Sequence, residues 1–178
     1  IDVPLKNEKF QIKLRPEQKE AVKKTKQAFK SYNKMLWNAK MRFGKTLTAL
    51  QLVKEEKYQH VLIMTHRPVV DEGWFEDFKK IGMPEAGYLY GSKSTGEDIG
   101  YLLQSGQPYV YFASLQDLRG SEEVGGKQGD KNHEIFDNEW DLVIVDEAHE
   151  GTQTELAQNV TNEVVTKGHT KLLELSGT

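Results

Sequence analysis

Met35-Leu36-Trp37-Asn38-Ala39, then Lys40-Met41-Arg42-Phe43-Gly44-Lys45-Thr46, then a run with Leu47, Leu50 and Val53 at helical spacing, decides how this chain is read. The first five residues are a short apolar strand and Thr46 to Lys57 is an amphipathic helix, so a strand feeds a helix through a loop that ends Gly-Lys-Thr. In that setting Gly44 lets backbone N–H groups approach a phosphate and the helix N-terminus adds its dipole. The Lys45 ammonium can then reach β and γ phosphates, and the Thr46 hydroxyl can ligate Mg²⁺. Alone, Gly-Lys-Thr is a weak signal that also fits a glycine turn before a helix, and Ala39 stands where the full motif has its first glycine.

A second segment, 101 residues beyond Lys45, supplies what the first lacks. Asp141-Leu142-Val143-Ile144-Val145 is an apolar run suited to a strand buried on both faces, and Asp146-Glu147-Ala148-His149 follows it. A carboxylate at the tip of a buried strand is costly unless it meets a cation. Mg²⁺ bridging two phosphates would satisfy Asp146, and Glu147 could orient and deprotonate a water. An exposed acidic turn is the competing account of these four residues, and the paired loop argues against it.

Working outward, strands and helices alternate. Pro16 opens a helix carrying Ala21, Val22, Thr25, Ala28, Phe29 and Tyr32 at helical spacing. His60–Thr65 is a buried strand, and Val69 to Lys80 a helix whose Trp74 and Phe78 are expected to serve the core rather than to stack on bases. Strands are expected over 87–90 and 109–113 with a helix over 98–104 between them, then a helix over 152–166 and a strand over 170–175. Residues 119–132 hold four glycines among charges and read as an exposed loop or insertion. The alternation predicts an α/β domain with a mostly parallel sheet and helices on both faces, one domain over 1–178.

Composition agrees. The 178 residues are 37% hydrophobic and 29% charged, an ordinary globular balance that can bury a core. Absence of cysteine excludes disulfides, thiolate zinc sites and a thiol nucleophile. No apolar run reaches the ~18 residues of a membrane span, so a cytoplasmic domain is expected. The chain does not begin with Met and stops at Ser176-Gly177-Thr178, at the end of a strand, where ligands bind in such folds; a piece of a longer protein is the expectation. The net charge of −3 conceals +9 over residues 1–60 and −12 over the rest. The basic portion reads equally as a face for nucleic acid or as a solvated helix.

These motifs together resemble the first RecA-like domain of superfamily 2 helicases and translocases, the DEAD/DEAH-box group, over essentially the whole chain. Leu14-Arg15-Pro16-Glu17-Gln18 is similar to the segment that precedes the phosphate loop in that superfamily, which implies that Gln18 reads the adenine edge. Thr65-His66-Arg67-Pro68 and Phe112-Ala113-Ser114-Leu115-Gln116 stand where the family contacts its nucleic-acid track, which implies Arg67 and Ser114 as contacts, with His66 and Gln116 behind them; local capping is the alternative for each. Ser176-Gly177-Thr178 matches the motif that couples nucleotide state to the track, and His149 falls in the same coupling group. Arg42 replaces the glycine most members carry, and it could contact phosphate. The glycine-rich insertion before the acidic box is most similar to the restriction-type branch.

The resemblance implies an ATP-binding lobe that hydrolyses Mg-ATP when a second RecA-like domain completes it, acting on nucleic acid, DNA over RNA, with nuclease or methyltransferase partners. A nucleotide-dependent switch or scaffold without translocation is the alternative. A phosphotransferase fits less well, because Glu147 beside Asp146 suits activation of water.

Overall fold

The computed structural model describes residues 12–40, 43–65, 71–118, 132–146, 155–165 and 168–177. Three apolar runs build the centre of the sheet: β2 (His60–Thr65), β4 (Tyr109–Ser114) and β5 (Leu142–Asp146). Flanking them are β1 (Lys34–Ala39), β3 (Leu89–Gly91) and β6 (Lys171–Gly177), in the order β1-β6-β5-β2-β4-β3, every pair parallel. All C-terminal strand ends therefore share one edge. In register, Thr65 lies between Asp146 and Ser114, Asp146 is opposite Leu175, and Ala39 is opposite Gly177.

Alternation along the strands divides the core. Val61, Ile63, Ile144 and Leu173 face one layer, made by α1 (Pro16–Ala28), α2 (Lys45–Glu56) and α3 (Asp71–Lys80), where Val22, Leu50, Val53, Trp74 and Phe78 are buried. Leu62, Met64, Val143 and Leu172 face the other layer, made by α4 (Ile99–Gln104), α5 (Leu115–Leu118), α6 (His133–Asp137) and α7 (Glu155–Val164), with Leu102, Leu118, Phe136 and Val160. This is the predicted α/β architecture with helices on both faces.

Local chemistry sets the element ends. Arg15 is extended ahead of Pro16, as the residue before proline must be, and its N–H donates to Gln18 Oε1 at 2.8 Å. α1 ends at Ala28, short of Tyr32, which is 69% exposed and has no core to reach. β3 begins at Leu89, not at 87, because residues 81–87 form turns closed by backbone bonds such as Tyr88 N–H to Met83 O, 3.1 Å. The helix expected over 152–166 is described as Glu155–Val164. The two short helices α5 and α6 were not expected from the sequence; they flank the glycine-rich segment, of which only Asn132 is described. Its side chain donates to Asp117 O at 2.8 Å, and its positive φ of 62° turns the chain into α6.

Candidate nucleotide site

β1 delivers Ala39 to the sheet edge, and Gly44 opens α2 in the left-handed region at φ 79°. A Cβ there would lie 2.5 Å from Gln18 Nε2, so both conformation and space call for glycine. Lys45 and Thr46 form the first turn of α2, and the Thr46 hydroxyl makes no hydrogen bond among the described residues. On the neighbouring side β5 ends at Asp146, 5% exposed. The two motifs meet: Lys45 Nζ is 3.1 Å from Asp146 Oδ1. Gly177, ending β6, lies beside the pair, where a Cβ would meet Lys45 Nζ at 3.6 Å, an ordinary van der Waals contact.

The second oxygen of Asp146 is also held. Trp74 Nε1 in α3 donates to Asp146 Oδ2 at 3.0 Å, in a buried setting. Sequence reasoning placed Trp74 in the core, where it is, 1% exposed, but missed its polar edge. The available signal was general: a buried indole N–H seeks an acceptor, and the strand-end aspartate is one.

Gln18 and Arg15 come to the loop from α1. Gln18 is 4% exposed and its amide group donates to Phe43 O at 2.7 Å and to Gly44 O at 3.4 Å, while its oxygen accepts from Arg15 N–H. The carboxamide thus braces the loop backbone. Arg15, read from sequence only as the residue ahead of the helix, also reaches the loop, donating from its guanidinium to Phe43 O at 2.6 Å and pairing with Glu17 at 3.2 Å. Beside them a cavity of about 730 Å³ is lined by Arg15, Trp37, Asn38, Ala39, Lys40 and Phe43, among others. That volume falls within the range of small-molecule sites, which is ~300–1,000 Å³.

At the far side of the edge, Ser114 is fully buried and its hydroxyl accepts from Asp117 N–H at 3.1 Å. This is local capping, so Gln116, exposed, is the member of that pair presented to solvent. Ser176 lies in β6 opposite Asn38. Arg42, His66, Arg67, Glu147, His149 and Thr178 lie outside the described residues.

A parallel sheet with helices on both faces, and a Gly-Lys-Thr helix start joined to a strand-end aspartate, define a P-loop domain of RecA-like architecture. The chain belongs to the family described as type III restriction enzyme, res subunit, whose family model matches residues 11–178. It is 29% identical over 137 residues to the C-terminus of a candidate type II restriction enzyme and methyltransferase of Mycoplasma pneumoniae, covering 74% of this chain and 19% of that protein.

Among solved structures, the Sulfolobus solfataricus SWI2/SNF2 ATPase core in complex with double-stranded DNA aligns with a TM-score of 0.69 at 18% identity, over 94% of this chain and 32% of that one. The type ISP restriction-modification enzyme LlaGI, a nuclease-deletion mutant with a DNA substrate mimic, gives 0.60 at 18% identity, over 94% and 18%. The UvsW helicase of bacteriophage T4 gives 0.57 at 18% identity, over 93% and 52%. The chain spans about a fifth of its curated relative and from 18% to 52% of these structures. No helix among the described residues is long and apolar enough to cross a membrane.

Proposed function

We propose that residues 1–178 are one domain, the ATP-binding lobe of an ATP-dependent DNA helicase or translocase of restriction type. The observation that carries this is the 3.1 Å contact between Lys45 and Asp146 at the shared strand edge. It joins an ammonium, a helix N-terminus and a carboxylate, the donor set that a triphosphate with its metal requires. Bound Mg²⁺ would neutralise charge on the β and γ phosphates. Lys45 would hold those phosphates, Thr46 and Asp146 would hold the metal, and Glu147, next in sequence, would take the proton of the attacking water. Arg42 adds a contact on the loop. The cavity beside Arg15, Ala39 and Phe43 accommodates the base, and Gln18 fixes the loop at its rim.

Arg67, His66 and Gln116 contact the nucleic-acid backbone; Ser114, with its hydroxyl engaged internally, positions that loop. His149, Ser176 and Thr178 couple the two sites. The DNA named for the Sulfolobus and LlaGI structures supports DNA over RNA, and the restriction and methyltransferase relative supports nuclease or methyltransferase partners. A second RecA-like domain completes the catalytic site. The test is calorimetric titration of Mg-ATP into the wild type and Lys45→Ala, with hydrolysis by the full-length protein measured with and without DNA. Binding lost in the variant, and turnover stimulated by DNA, are expected; unchanged affinity in Lys45→Ala would overturn the assignment.

A further inference from the structure

Most of the lysines in the first third of the chain are not used by the nucleotide site. The structure shows where many of them go. α1 and the turn that closes it carry Lys19, Lys23, Lys26 and Lys30, at spacings of four, three and four residues. At ~100° per residue these fall within an arc of about 60°, and at 1.5 Å per residue they extend over roughly 16 Å.

The stripe forms one wall of a groove of about 700 Å³, whose other lining includes Lys13, the C-terminal half of α2 with Lys54, and Ile81. Both carboxylates of α1, Glu17 and Glu20, line the cavity beside the nucleotide loop instead. Lys54 lies nine residues along α2 from Lys45, about 14 Å of helix, so the groove is separate from the nucleotide site.

Two of the six lysines are engaged. Lys26 pairs with Glu55 at 3.2 Å, and Lys54 donates to Ile81 O, where burial lowers its pKa. Lys13, Lys19, Lys23 and Lys30 are exposed and have no carboxylate partner among the described residues. Glu55 and Glu56 are the acidic residues in the lining, so positive charge exceeds negative by four. A merely solvated face gains from interspersed carboxylates at i, i+4; this stripe has none of its own.

We infer that this groove is a second nucleic-acid site, taking the phosphate backbone of duplex DNA along α1, apart from the strand-edge track. The inference rests on the DNA-translocase reading for the identity of the polyanion. Protein partners fit the lining less well, because protein interfaces are enriched in aromatic side chains and depleted in lysine. The groove has six lysines and no aromatic residue. A row of ammonium groups on long stems reads phosphate charge without reading sequence. Its function is to tether the duplex while the strand-edge contacts release and re-form.

The experiment uses the full-length protein and a fluorescent 30-base-pair duplex of random sequence, titrated without nucleotide at several salt concentrations. Lys19→Gln/Lys23→Gln/Lys30→Gln and the corresponding triple Glu variant remove charge at exposed positions, with thermal melting and Mg-ATP affinity as controls expected to stay at wild-type values. Each phosphate contact contributes about 0.9 to the slope of log affinity against log salt. The Gln variant is expected to lower that slope by about 2–3, and the Glu variant to weaken binding further. Wild-type slope and affinity in both variants, with Mg-ATP still bound, would overturn the tether and leave the nucleotide assignment standing. Loss of binding to polyglutamate with duplex binding unchanged would also overturn it, in favour of an acidic protein partner. A wild-type protein that binds Mg-ATP but no duplex at low salt would remove the nucleic-acid reading and the tether together.

Discussion

Trp74→Phe is the most informative single perturbation, because it separates a core residue from a residue that holds the site. The indole is 1% exposed and its Nε1 donates at 3.0 Å to an Asp146 carboxylate that is itself 5% exposed. Phenylalanine keeps most of the apolar contact and removes the donor. A hydrogen bond to a charged acceptor contributes about 1.5–3 kcal/mol, and the space left by the smaller ring adds about 1 kcal/mol at ~24 cal/mol per Å³. The expected loss is therefore about 2.5–4 kcal/mol in urea unfolding followed by circular dichroism.

A double-mutant cycle with Asp146→Ala isolates the polar part, since the packing loss occurs in both backgrounds and cancels. A coupling energy of about 1.5–3 kcal/mol is expected. In parallel, Mg-ATP affinity should fall roughly tenfold, the size of effect usual when an outer partner of a metal-binding carboxylate is removed. A coupling below ~0.5 kcal/mol, with unchanged nucleotide affinity, would show that Trp74 is only core and that the Asp146 orientation is set elsewhere.

Other outcomes follow from the same geometry. In the full-length protein, Glu147→Gln should bind Mg-ATP and fail to turn it over, because the amide cannot accept the proton; hydrolysis at the wild-type rate would remove the general base. Gly44→Ala should cost about 1–2 kcal/mol for the left-handed backbone alone, and its Cβ would press on Gln18 Nε2. Gln18→Ala in that background should recover the steric part, read as nucleotide affinity and thermal midpoint. The 178 residues by themselves should be a poor ATPase, since an arginine reaching across the cleft contributes roughly 10³- to 10⁵-fold. Of the four arginines, Arg15 is already committed to Phe43 O and Glu17, and strong DNA-stimulated turnover by this chain alone would contradict the two-lobe arrangement.

The buried strands were legible because burial on both faces demands unbroken apolar runs: His60–Thr65 agrees residue for residue with β2, and the 141–145 run with β5 to within one residue. That the Gly-Lys-Thr loop and the strand-end aspartate belong to one site was legible too, since a buried carboxylate needs a cation; the cation expected was Mg²⁺, whereas the fold sets Lys45 itself against Asp146 at 3.1 Å. Short elements were not. α5 is four residues long and begins where β4 ends, so no periodicity can announce it. Contacts that depend on tertiary neighbours were also hidden. Trp74 shows its apolar ring in the pattern and its N–H only in the fold. Gln18, expected from the resemblance to read the adenine edge, instead has its amide nitrogen engaged by the loop carbonyl of Phe43 and its oxygen by Arg15 N–H at the start of α1, and only the packing of α1 against the loop shows the first of these.

The Lys45–Asp146 pair also stabilises the fold. A buried carboxylate such as Asp146 is costly without a counter-charge, and Lys45 supplies one at 3.1 Å. On the proposed function, Lys45 would hold phosphate and Asp146 would hold the metal, so a bound nucleotide would substitute for this ion pair. Lys45→Ala should consequently destabilise the fold as well as abolish Mg-ATP binding. Breaking a fully buried pair costs ~3–5 kcal/mol, whereas Lys45 remains 20% exposed, so a discounted loss of about 2 kcal/mol is expected. Adding Asp146→Asn removes the charge that Lys45 balances, and the double variant should regain most of that stability while still failing to bind Mg-ATP. Urea unfolding of the single and double variants, beside calorimetry of each, reads the two effects separately. If Lys45→Ala were as stable as wild type and Asp146→Asn gave no recovery, the ion pair would contribute nothing to folding and Lys45 would serve the nucleotide alone.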